Sequence, residues 1–267
     1  MQGRVLIIAG SDSGGGAGIQ ADIKTVTALG GYAMTAITAL TVQNTLGVTD
    51  VHEAPTDIVR AQINAVMSDL GADVWKTGML GSAAHVRAVI EAFYAVGDGV
   101  PVVVDPVMIA KGGASLLADD AVQIVRDELA PIAAIITPNA PEAERLTGIP
   151  VHDLDGQKRA AEYLLGRLGA WTALVKGGHI PGRIVRDVFI SGDGMELYES
   201  PRIDTRATHG TGCTFASAIA TLMAQGMSPA EAVPRAREYV MRAIAAAPGF
   251  GKGHQPLGHG WTVRRDW

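Results

Sequence analysis

The sequence predicts an α/β protein whose mostly parallel sheet is covered by helices on both faces. Short apolar runs rich in β-branched residues alternate with longer segments of helical period, which is the pattern of repeated strand–helix units. The strand-like runs are apolar throughout instead of alternating with polar residues, as expected for strands buried on both faces. The predicted strands are Val5–Ala9, Thr35–Thr41, Asp73–Lys76, Val100–Asp105, Ala133–Thr137 and Ala173–Lys176.

Helical segments fill the intervals between these strands and continue after them. Arg186–Ile190 and Glu196–Glu199 flank a Gly-Asp-Gly turn and are typical of a β-hairpin. The tail from Gly249 to Trp267 is expected to be a loop packed on the body. The predicted helices are Gly18–Leu29, Thr56–Leu70, Ala83–Ala95, Asp119–Leu129, Pro141–Leu146, Gly156–Leu168, Thr211–Ala224 and Pro229–Ala246.

Length and composition fit one large domain with a sizeable core. The chain has 267 residues, of which 48% are hydrophobic and 18% charged, and we expect residues 1–267 to form a single α/β domain. The net charge is −5 and the pI is near 5.8, and the sequence carries no run of Lys and Arg. These values argue against a nucleic-acid partner.

The sequence also predicts a cytoplasmic location. Its single cysteine, Cys213, cannot form a disulfide within the chain, which fits a reducing compartment. The apolar stretch Val5–Ala9 is shorter than the roughly 7–15 residues of a signal-peptide core. No run approaches the ~18 apolar residues of a membrane helix, so we expect no membrane partner.

Polar residues and glycines follow the predicted strands at the points where these strands end. Gly10, Asp105, Asn139 and Lys176 each close or follow a different strand. Ligands of open α/β sheets bind outside the carboxyl ends of the strands. One such residue could arise by chance, because loops are polar, but their joint placement on one rim predicts a ligand site.

The strongest local motif is residues 208–214, THGTGCT, which opens the helix Thr211–Ala224. Glycines before a helix let backbone N–H groups approach an anion, and the helix N-terminus adds partial positive charge. Such a turn can stabilise charge on a transferring phosphoryl group or another oxyanion. The alternative is an ordinary glycine-rich turn with a buried cysteine.

A second glycine-rich loop, Gly10–Gly18, matches neither the Walker A pattern nor the dinucleotide-binding spacing. It still allows the backbone to approach a ligand closely. In the helix that follows, Asp22 falls on the apolar face. A buried carboxylate needs a partner, which is either a ligand or an internal hydrogen-bond network.

Asn139 and Glu142 have two interpretations. An Asn N-cap followed three residues later by Glu, with Pro141 in the first turn, is typical of a capping box. The functional alternative places the amide and the carboxylate near a Mg²⁺–phosphate complex, which prefers hard oxygen ligands. The local sequence alone favours the cap.

Segments in order along nearly the whole chain resemble the hydroxymethylpyrimidine/phosphomethylpyrimidine kinases of thiamine biosynthesis. The resemblance implies a ribokinase-like three-layer α/β/α fold, which is usually a homodimer in this family. It also implies phosphorylation of 4-amino-5-hydroxymethyl-2-methylpyrimidine and then of its monophosphate, with ATP and Mg²⁺. The matching segments are residues 5–13 (VLIIAGSDS), 15–22 (GGAGIQAD), 39–45 (ALTVQNT), 76–80 (KTGML), 105–108 (DPVM), 137–142 (TPNAPE), 175–179 (VKGGH) and 208–214 (THGTGCT).

The resemblance assigns the catalytic roles to the last of these segments and to Lys176. Gly210, Thr211, Gly212 and Cys213 would form the anion hole, and Cys213 would take the hydroxyl proton. Most ribokinase-like sugar kinases carry Asp at that position, whereas the pyrimidine kinases carry Cys. We expect the helix N-terminus and Lys176 to lower the pKa of the Cys213 thiol.

The resemblance also assigns the ligand contacts. Lys176 would neutralise phosphate, and Asn139 and Glu142 would organise Mg²⁺, with Asp105 in the same role. Thr208 and Gly212 are expected to contact ATP. The residues expected to bind the pyrimidine are Gly10, Asp22, Gln43, Met79 and Val107.

Gln43 suits an aminopyrimidine. Its amide oxygen can accept from the exocyclic amine while its NH₂ group donates to a ring nitrogen. Alternatively, the side chain only hydrogen-bonds a strand edge.

Three other functions compete with this interpretation. Pyridoxal kinase is the nearest, because members of that class share the scaffold and even the cysteine. A thiol hydrolase would use Cys213 as nucleophile with His209 or His179, although the phosphatase pattern C-x₅-R is absent because Ile219 occupies the Arg position. A non-catalytic binding protein that kept the fold is the third.

Overall fold

A computed structural model describes residues 2–108 and 117–263 of the chain. Within them, strands and helices alternate in the predicted order. The strands are β1 (Arg4–Asp12), β2 (Tyr32–Asn44), β3 (Gly47–Glu53), β4 (Val74–Thr77), β5 (Val102–Val104), β6 (Ile135–Ile136), β7 (Ala173–Val175), β8 (Ile184–Ser191) and β9 (Gly194–Pro201). The helices are α1 (Gly18–Ala28), α2 (Thr56–Asp69), α3 (Ala83–Val96), α4 (Asp119–Ile124), α5 (Ala140–Thr147), α6 (Leu154–Gly166), α7 (Thr211–Ala224) and α8 (Pro229–Ala245).

The described strands form a mixed sheet with a parallel centre and antiparallel edges. Its order is β3-β2-β1-β4-β5-β6-β7-β8-β9. The strands from β2 to β7 in this order pair in parallel, whereas β3 pairs with β2, and β8 with β7 and β9, in antiparallel fashion. Because the parallel strands share one direction, their carboxyl ends meet along one edge.

The alternation of side chains along the buried strands divides the core into two layers. In β1, Leu6 and Ile8 pack with α2–α6, while Val5 and Ile7 pack with α1, α7 and α8. All four side chains are fully buried. A strand covered on both faces has no solvent-facing position, which explains the largely apolar runs in the sequence.

The predicted elements are present, but several of them differ in extent. The strand predicted at Thr35–Thr41 runs to Asn44 as β2, and the antiparallel β3 beside it was not expected from the sequence. Five of the seven β3 residues are exposed and four of these are polar, as at a sheet edge, so no apolar run marks the strand. The helix predicted to reach Leu129 ends at Ile124 in a π-helical turn.

The tail packs on the body as expected up to residue 263, whereas residues 264–267 lie outside the described part. Leu257 and His259 are buried, and His259 accepts or donates a 2.9 Å hydrogen bond with Thr214 Oγ1 at the start of α7. Within residues 2–108 and 117–263, no helix is long and apolar enough to cross a membrane.

Candidate active site

The candidate active site is a cleft at the carboxyl ends of the parallel strands, where α7 begins. Its volume is about 450 Å³, which is in the usual range for small-molecule sites. The predicted site residues that line it are Gly10, Gln43, Met79, Asp105, Val107, Asn139, Glu142, Lys176, Thr208, Gly210, Thr211, Gly212 and Cys213.

A second depression of about 660 Å³ lies beside α5 and contains Arg145 and His152. It shares Pro141 and His179 with the cleft but includes neither the start of α7 nor Lys176. We therefore place the chemistry in the smaller cleft.

The first turn of α7 is built around two glycines. Gly210 has φ of +78°, and a Cβ atom there would lie 1.9 Å from the Gly16 carbonyl oxygen, so only glycine fits. A Cβ atom on Gly212 would lie 3.4 Å from Lys176 Nζ and 3.7 Å from Asp105 Oδ2. The missing side chain therefore leaves a space between the N–H groups that begin α7 and the Lys176 ammonium. This space suits an anion.

Cys213 lies in this first turn and is partly buried. The expected lowering of its pKa is wrong. Burial raises the pKa of the Cys213 thiol to about 12, and the carboxylates of Asp22 and Asp105 add to the increase. Lys76, rather than Lys176, is the cation that opposes this most strongly. The helix N-terminus does not outweigh burial and two nearby carboxylates, so the thiol is protonated at neutral pH.

Lys176 sits between two carboxyl groups. Its Nζ atom lies 2.9 Å from Asp105 Oδ1, and Thr137 Oγ1 donates to the same oxygen at 3.3 Å. Burial would lower the pKa of Lys176, but Asp105 and Glu142 raise it above its ordinary value. Burial raises the pKa of Glu142 to about 7, although Lys176 opposes this. Two carboxyl groups thus share one ammonium, and the cluster can accept a further cation.

Asn139 and Glu142 form the capping box that the local sequence favours. The Glu142 N–H donates to Asn139 Oδ1 at 3.0 Å, and the Asn139 N–H donates to Glu142 Oε2 at 2.8 Å. Both residues also line the cleft. The capping box is therefore observed, and it places both side chains in the cleft, where Mg²⁺ binding would require them.

Asp22 has the internal partners that were the alternative to a ligand. Its carboxylate is fully buried and accepts hydrogen bonds from Lys76 Nζ at 2.9 Å and from Ser217 Oγ at 2.7 Å. Asp22 is not part of the cleft wall, unlike Lys76. The expected contact between Asp22 and substrate is therefore replaced by an ion pair that joins α1, β4 and α7.

A hydrogen-bond network on the opposite wall was not predicted from the sequence. Asp12, at the end of β1, lies 2.8 Å from His209 Nε2 and accepts from the N–H groups of Gly14, Gly16 and Ala17 at 2.7–3.0 Å. Burial would raise the pKa of Asp12, but the His209 and backbone hydrogen bonds lower it below its ordinary value.

Asp12, Lys76 and His209 were not predicted as site residues, although the sequence patterns that identified the predicted site residues include them. Asp12 and Lys76 stand at the carboxyl ends of parallel strands, as Asp105 does, and His209 directly precedes Gly210. The argument from strand ends applies to Asp12 and Lys76, whereas His209 belongs to the glycine motif that opens α7.

The geometry opposes the thiol hydrolase. A cysteine nucleophile needs a lowered pKa, whereas the pKa of Cys213 is raised. His209, one of its two candidate bases, turns its Nε2 atom towards Asp12 and Gln43.

The sheet, the cleft at its carboxyl edge, and a lysine facing a glycine-rich helix start together define a kinase of the ribokinase-like fold. The family model described as phosphomethylpyrimidine kinase matches residues 12–258. The chain belongs to this family.

Two relatives carry names from this family's pathway. The hydroxymethylpyrimidine/phosphomethylpyrimidine kinase of Streptomyces coelicolor is 48% identical over 97% of this chain and 95% of its own. The thiamine biosynthesis bifunctional protein ThiED of Geobacter sulfurreducens is 50% identical over 97% of this chain, which spans 52% of that protein's length.

Solved structures of two kinds share the fold. The phosphomethylpyrimidine kinase of Clostridium difficile has a TM-score of 0.80 and 41% identity, covering 90% of this chain and 99% of that one. The pyridoxal kinase of Staphylococcus aureus, in complex with AMP-PCP and pyridoxal, has a TM-score of 0.89 and 32% identity, covering 97% and 94%. The predicted ribokinase-like fold and the predicted family are confirmed.

Proposed function

We propose that this chain, as a single kinase domain, phosphorylates 4-amino-5-hydroxymethyl-2-methylpyrimidine and then its monophosphate, with ATP as donor, in thiamine biosynthesis. One observation carries the proposal: a single cleft brings Gln43, which can pair with an aminopyrimidine, to the same cavity as Lys176 and the start of α7. The names of the relatives support the choice of substrate.

The chain's own residues supply positioning and charge. Phosphoryl transfer requires these more than covalent chemistry, because charge is spread over the transferring group. The N–H groups of Gly210–Cys213 begin α7, and the Lys176 ammonium lies beside the space left by Gly212; together they would bind phosphate oxygens there. Thr208, at the cleft wall before this turn, would contact the nucleotide. AMP-PCP in the S. aureus pyridoxal kinase supports an adenine nucleotide as donor.

Magnesium fits the cluster around Lys176. Among the described residues, no group of three or more His, Cys, Asp and Glu side chains could hold a metal ion by itself. Mg²⁺ usually takes only one or two protein carboxylates and completes its shell with water and phosphate. Asp105, Asn139 and Glu142 would provide the oxygen ligands, and the excess of carboxyl over ammonium groups favours a cation. When bound, Mg²⁺ supplies positive charge to the phosphate oxygens.

The pyrimidine would lie beyond the carboxyl ends of β1 and β4, in the part of the cleft lined by Gly10 and Met79. Gly10 faces the Met79 side chain, since a Cβ atom on Gly10 would lie 3.4 Å from Met79 Cε. These two residues and Val107 would pack against the ring, and Gln43 would hydrogen-bond to its amine and ring nitrogen.

Cys213 is assigned the role of accepting the hydroxyl proton. With a pKa near 12, its thiol is almost entirely protonated at neutral pH, so this step would use the small thiolate fraction. The monophosphate has an acceptor that is already ionised, and its phosphorylation needs no base.

A pyridoxal kinase activity is the second candidate. The close structural match to a kinase solved with pyridoxal favours it. The two substrates differ at the ring edge: only the aminopyrimidine offers an amine next to a ring nitrogen, which is the pattern that one amide can pair with twice.

A homodimer in the cytoplasm completes the proposal. Leu40 and Val42, which lie on one face of β2, and Leu46 in the turn between β2 and β3 expose half or more of their surface. A cluster of this kind is a common interface feature. Light scattering on the purified protein would give twice the chain mass, and substitution of Val42 and Leu46 by Ser would give the monomer.

The decisive experiment assays the purified protein with ATP and Mg²⁺ on three substrates separately: the aminopyrimidine alcohol, its monophosphate and pyridoxal. We expect turnover of both pyrimidines with a kcat/KM well above that for pyridoxal. Turnover of pyridoxal alone would replace the proposed function by the second candidate. Gln43→Ala should raise the KM for the pyrimidine and leave the KM for ATP unchanged, because it removes about 1–3 kcal/mol of pairing.

A further inference from the structure

Residues 251–256 (GKGHQP) form a tail segment that lies between two parts of the cleft wall. One part is the turn between β2 and β3, which follows Gln43 directly in the chain. The other part is residues 206–209, which lead into the first turn of α7. Both parts contribute residues to the cleft, whereas the tail segment does not line it. Any effect of the tail segment on the reaction is therefore transmitted through its two neighbours.

The tail segment supports the β2–β3 turn with two hydrogen bonds to Thr45. The His254 N–H donates to the Thr45 carbonyl oxygen at 2.8 Å, and the Gly253 N–H donates to Thr45 Oγ1 at 3.3 Å. The pairing of β2 with β3 shifts register between Val42 and Gln43, so the strand ladder is irregular where the substrate contact begins. The tail segment thus fixes the chain just beyond that irregularity.

The same segment is also bonded to residues 206–209. The Gln255 N–H donates to the Arg206 carbonyl oxygen at 2.8 Å, and the His209 N–H donates to the Gln255 carbonyl oxygen at 3.1 Å. Thr208 Oγ1 lies 3.1 Å from His254 Nδ1. These contacts include a parallel β-bridge that ends where the first turn of α7 begins. The tail segment therefore connects the turn after Gln43 to the phosphate site.

The chain after the tail segment is anchored on the body of the protein. Leu257 is buried and packs with Ala207 and Ala243. The Gly258 N–H donates to the Ala243 carbonyl oxygen in α8 at 2.9 Å. An element that positions a site must itself be fixed by packing and hydrogen bonds, and this anchor meets that requirement.

We propose that residues 251–256 are a positioning segment for the reaction: they hold the turn after Gln43 against residues 206–209 and thereby set the distance between the bound pyrimidine and the phosphate site. This inference rests on the proposed function. Phosphoryl transfer depends on holding the acceptor hydroxyl at the transferring group, and a displacement of about 1 Å can cost about 10²-fold in rate.

Two glycines allow the tail segment to pack this closely on Thr45. A Cβ atom on Gly251 would lie 2.4 Å from both Thr45 Oγ1 and Thr45 Cγ2, and one on Gly253 would lie 2.0 Å from the Thr45 carbonyl oxygen. Alanine at either position must therefore displace the turn. Gly249 has φ of +75°, close to the +86° of Gly251, but a Cβ atom there would meet no described atom within 4 Å. Gly249→Ala thus introduces the same backbone strain without the contact.

The test measures kcat/KM for the aminopyrimidine alcohol and KM for ATP on the full-length protein. Gly251→Ala should lower kcat/KM about 10–100-fold relative to Gly249→Ala, with the same KM for ATP and the same melting temperature in both variants. Adding Thr45→Ala to Gly251→Ala removes the two atoms that the new methyl group would meet first. This double variant should recover part of the lost kcat/KM, because the two residues are in contact and their effects are coupled.

The kinetic outcomes separate the inference from the proposed function. Equal kcat/KM for Gly251→Ala and Gly249→Ala, or no recovery in the double variant, would overturn the inference and leave the proposed function intact. Absence of wild-type turnover on the alcohol would overturn the proposed function, and the inference with it.

A second pair of variants serves if Gly251→Ala does not fold by circular dichroism. Gly253→Ala then takes its place, and Gly260→Ala is its control, because neither glycine has a positive φ and a Cβ atom on Gly260 would come no closer than 4.0 Å to Val263. A kcat/KM below that of the control, at equal KM for ATP, supports the positioning role, and an equal kcat/KM contradicts it.

Discussion

Two aspartate–lysine pairs near the carboxyl edge of the sheet have the same separation and different surroundings. Lys76 and Lys176 both stand at the carboxyl end of a parallel strand, and each Nζ atom lies 2.9 Å from an Asp oxygen. The side chains of Lys76 and Asp22 are fully buried, and Ser217 occupies the second Asp22 oxygen. The Lys176 side chain keeps 11% exposure and faces the start of α7.

The difference separates a structural pair from one that can serve a ligand. A buried pair with both carboxylate oxygens occupied has little capacity to exchange partners. The Lys176 ammonium interacts with both Asp105 and Glu142. A phosphate or a cation that binds here therefore changes the net charge of this cluster. Two lysines at equivalent positions in the sheet therefore have different roles. Substitution of Lys76 should mainly reduce stability, and substitution of Lys176 should mainly reduce activity.

Lys76→Met should cause the largest loss of stability. It leaves the Asp22 carboxylate buried without its cation, which typically costs about 3–5 kcal/mol. Urea unfolding would measure the free energy, with Lys176→Met as the matched control that should lose clearly less. The double variant Asp22→Asn/Lys76→Met removes the stranded charge and should recover part of the loss. Equal, small losses for both lysines would contradict the comparison.

Lys176→Met should instead cause the largest loss of activity at retained fold. Removing one preorganised positive group at the transferring phosphoryl typically lowers kcat by about 10²–10³-fold. Steady-state kinetics beside a melting curve would separate this from unfolding. A kcat near that of the wild type would exclude Lys176 from the phosphate site.

The sequence predicted the sheet, its rim and most cleft residues because these follow from local patterns. A uniformly apolar strand indicates burial on both faces, and the residue after it lies at the carboxyl edge. The partner of Asp22 could not be predicted in this way, since Lys76 is distant in sequence and its pairing depends on how α1 packs against β4. The raised pKa of Cys213 also depends on tertiary packing: the helix N-terminus is visible in the sequence, but the burial and the two carboxylates are not.

The pKa of Cys213 gives a pH dependence with a definite sign. If the thiolate takes the proton, kcat for the hydroxymethyl substrate should rise almost tenfold per pH unit from about 7 to 9, because the thiolate fraction grows tenfold per unit below the pKa. Cys213→Asp starts from a far lower ordinary pKa than a thiol, so it should give a much flatter profile towards pH 9, and Cys213→Ala should lose the slope. The monophosphate, whose acceptor is ionised, provides the internal control. A flat wild-type profile on the hydroxymethyl substrate would remove Cys213 as the base.

Glu142→Gln should have the smallest effect on stability, and its kinetics distinguish a cap from a metal ligand. Glutamine still completes a capping box, so the change should cost at most about 1 kcal/mol. The chain offers a matched control in α8, where Ser228 and Glu231 form the same box at an exposed helix start. Glu231→Gln should change stability to a similar degree and leave kinetics unchanged.

If Glu142 helps to hold Mg²⁺, Glu142→Gln should lower kcat and raise the Mg²⁺ concentration needed for half-maximal rate, whereas Glu231→Gln should not. The sign of the pH effect follows from the raised pKa of Glu142, near 7. In the wild type, Mg²⁺ affinity should increase as pH rises through 7 and the carboxyl group ionises, and the variant should lose that increase because an amide does not titrate. A Mg²⁺ titration at pH 6 and pH 8 on both variants measures this. Identical profiles for the two would leave Glu142 with the capping role alone.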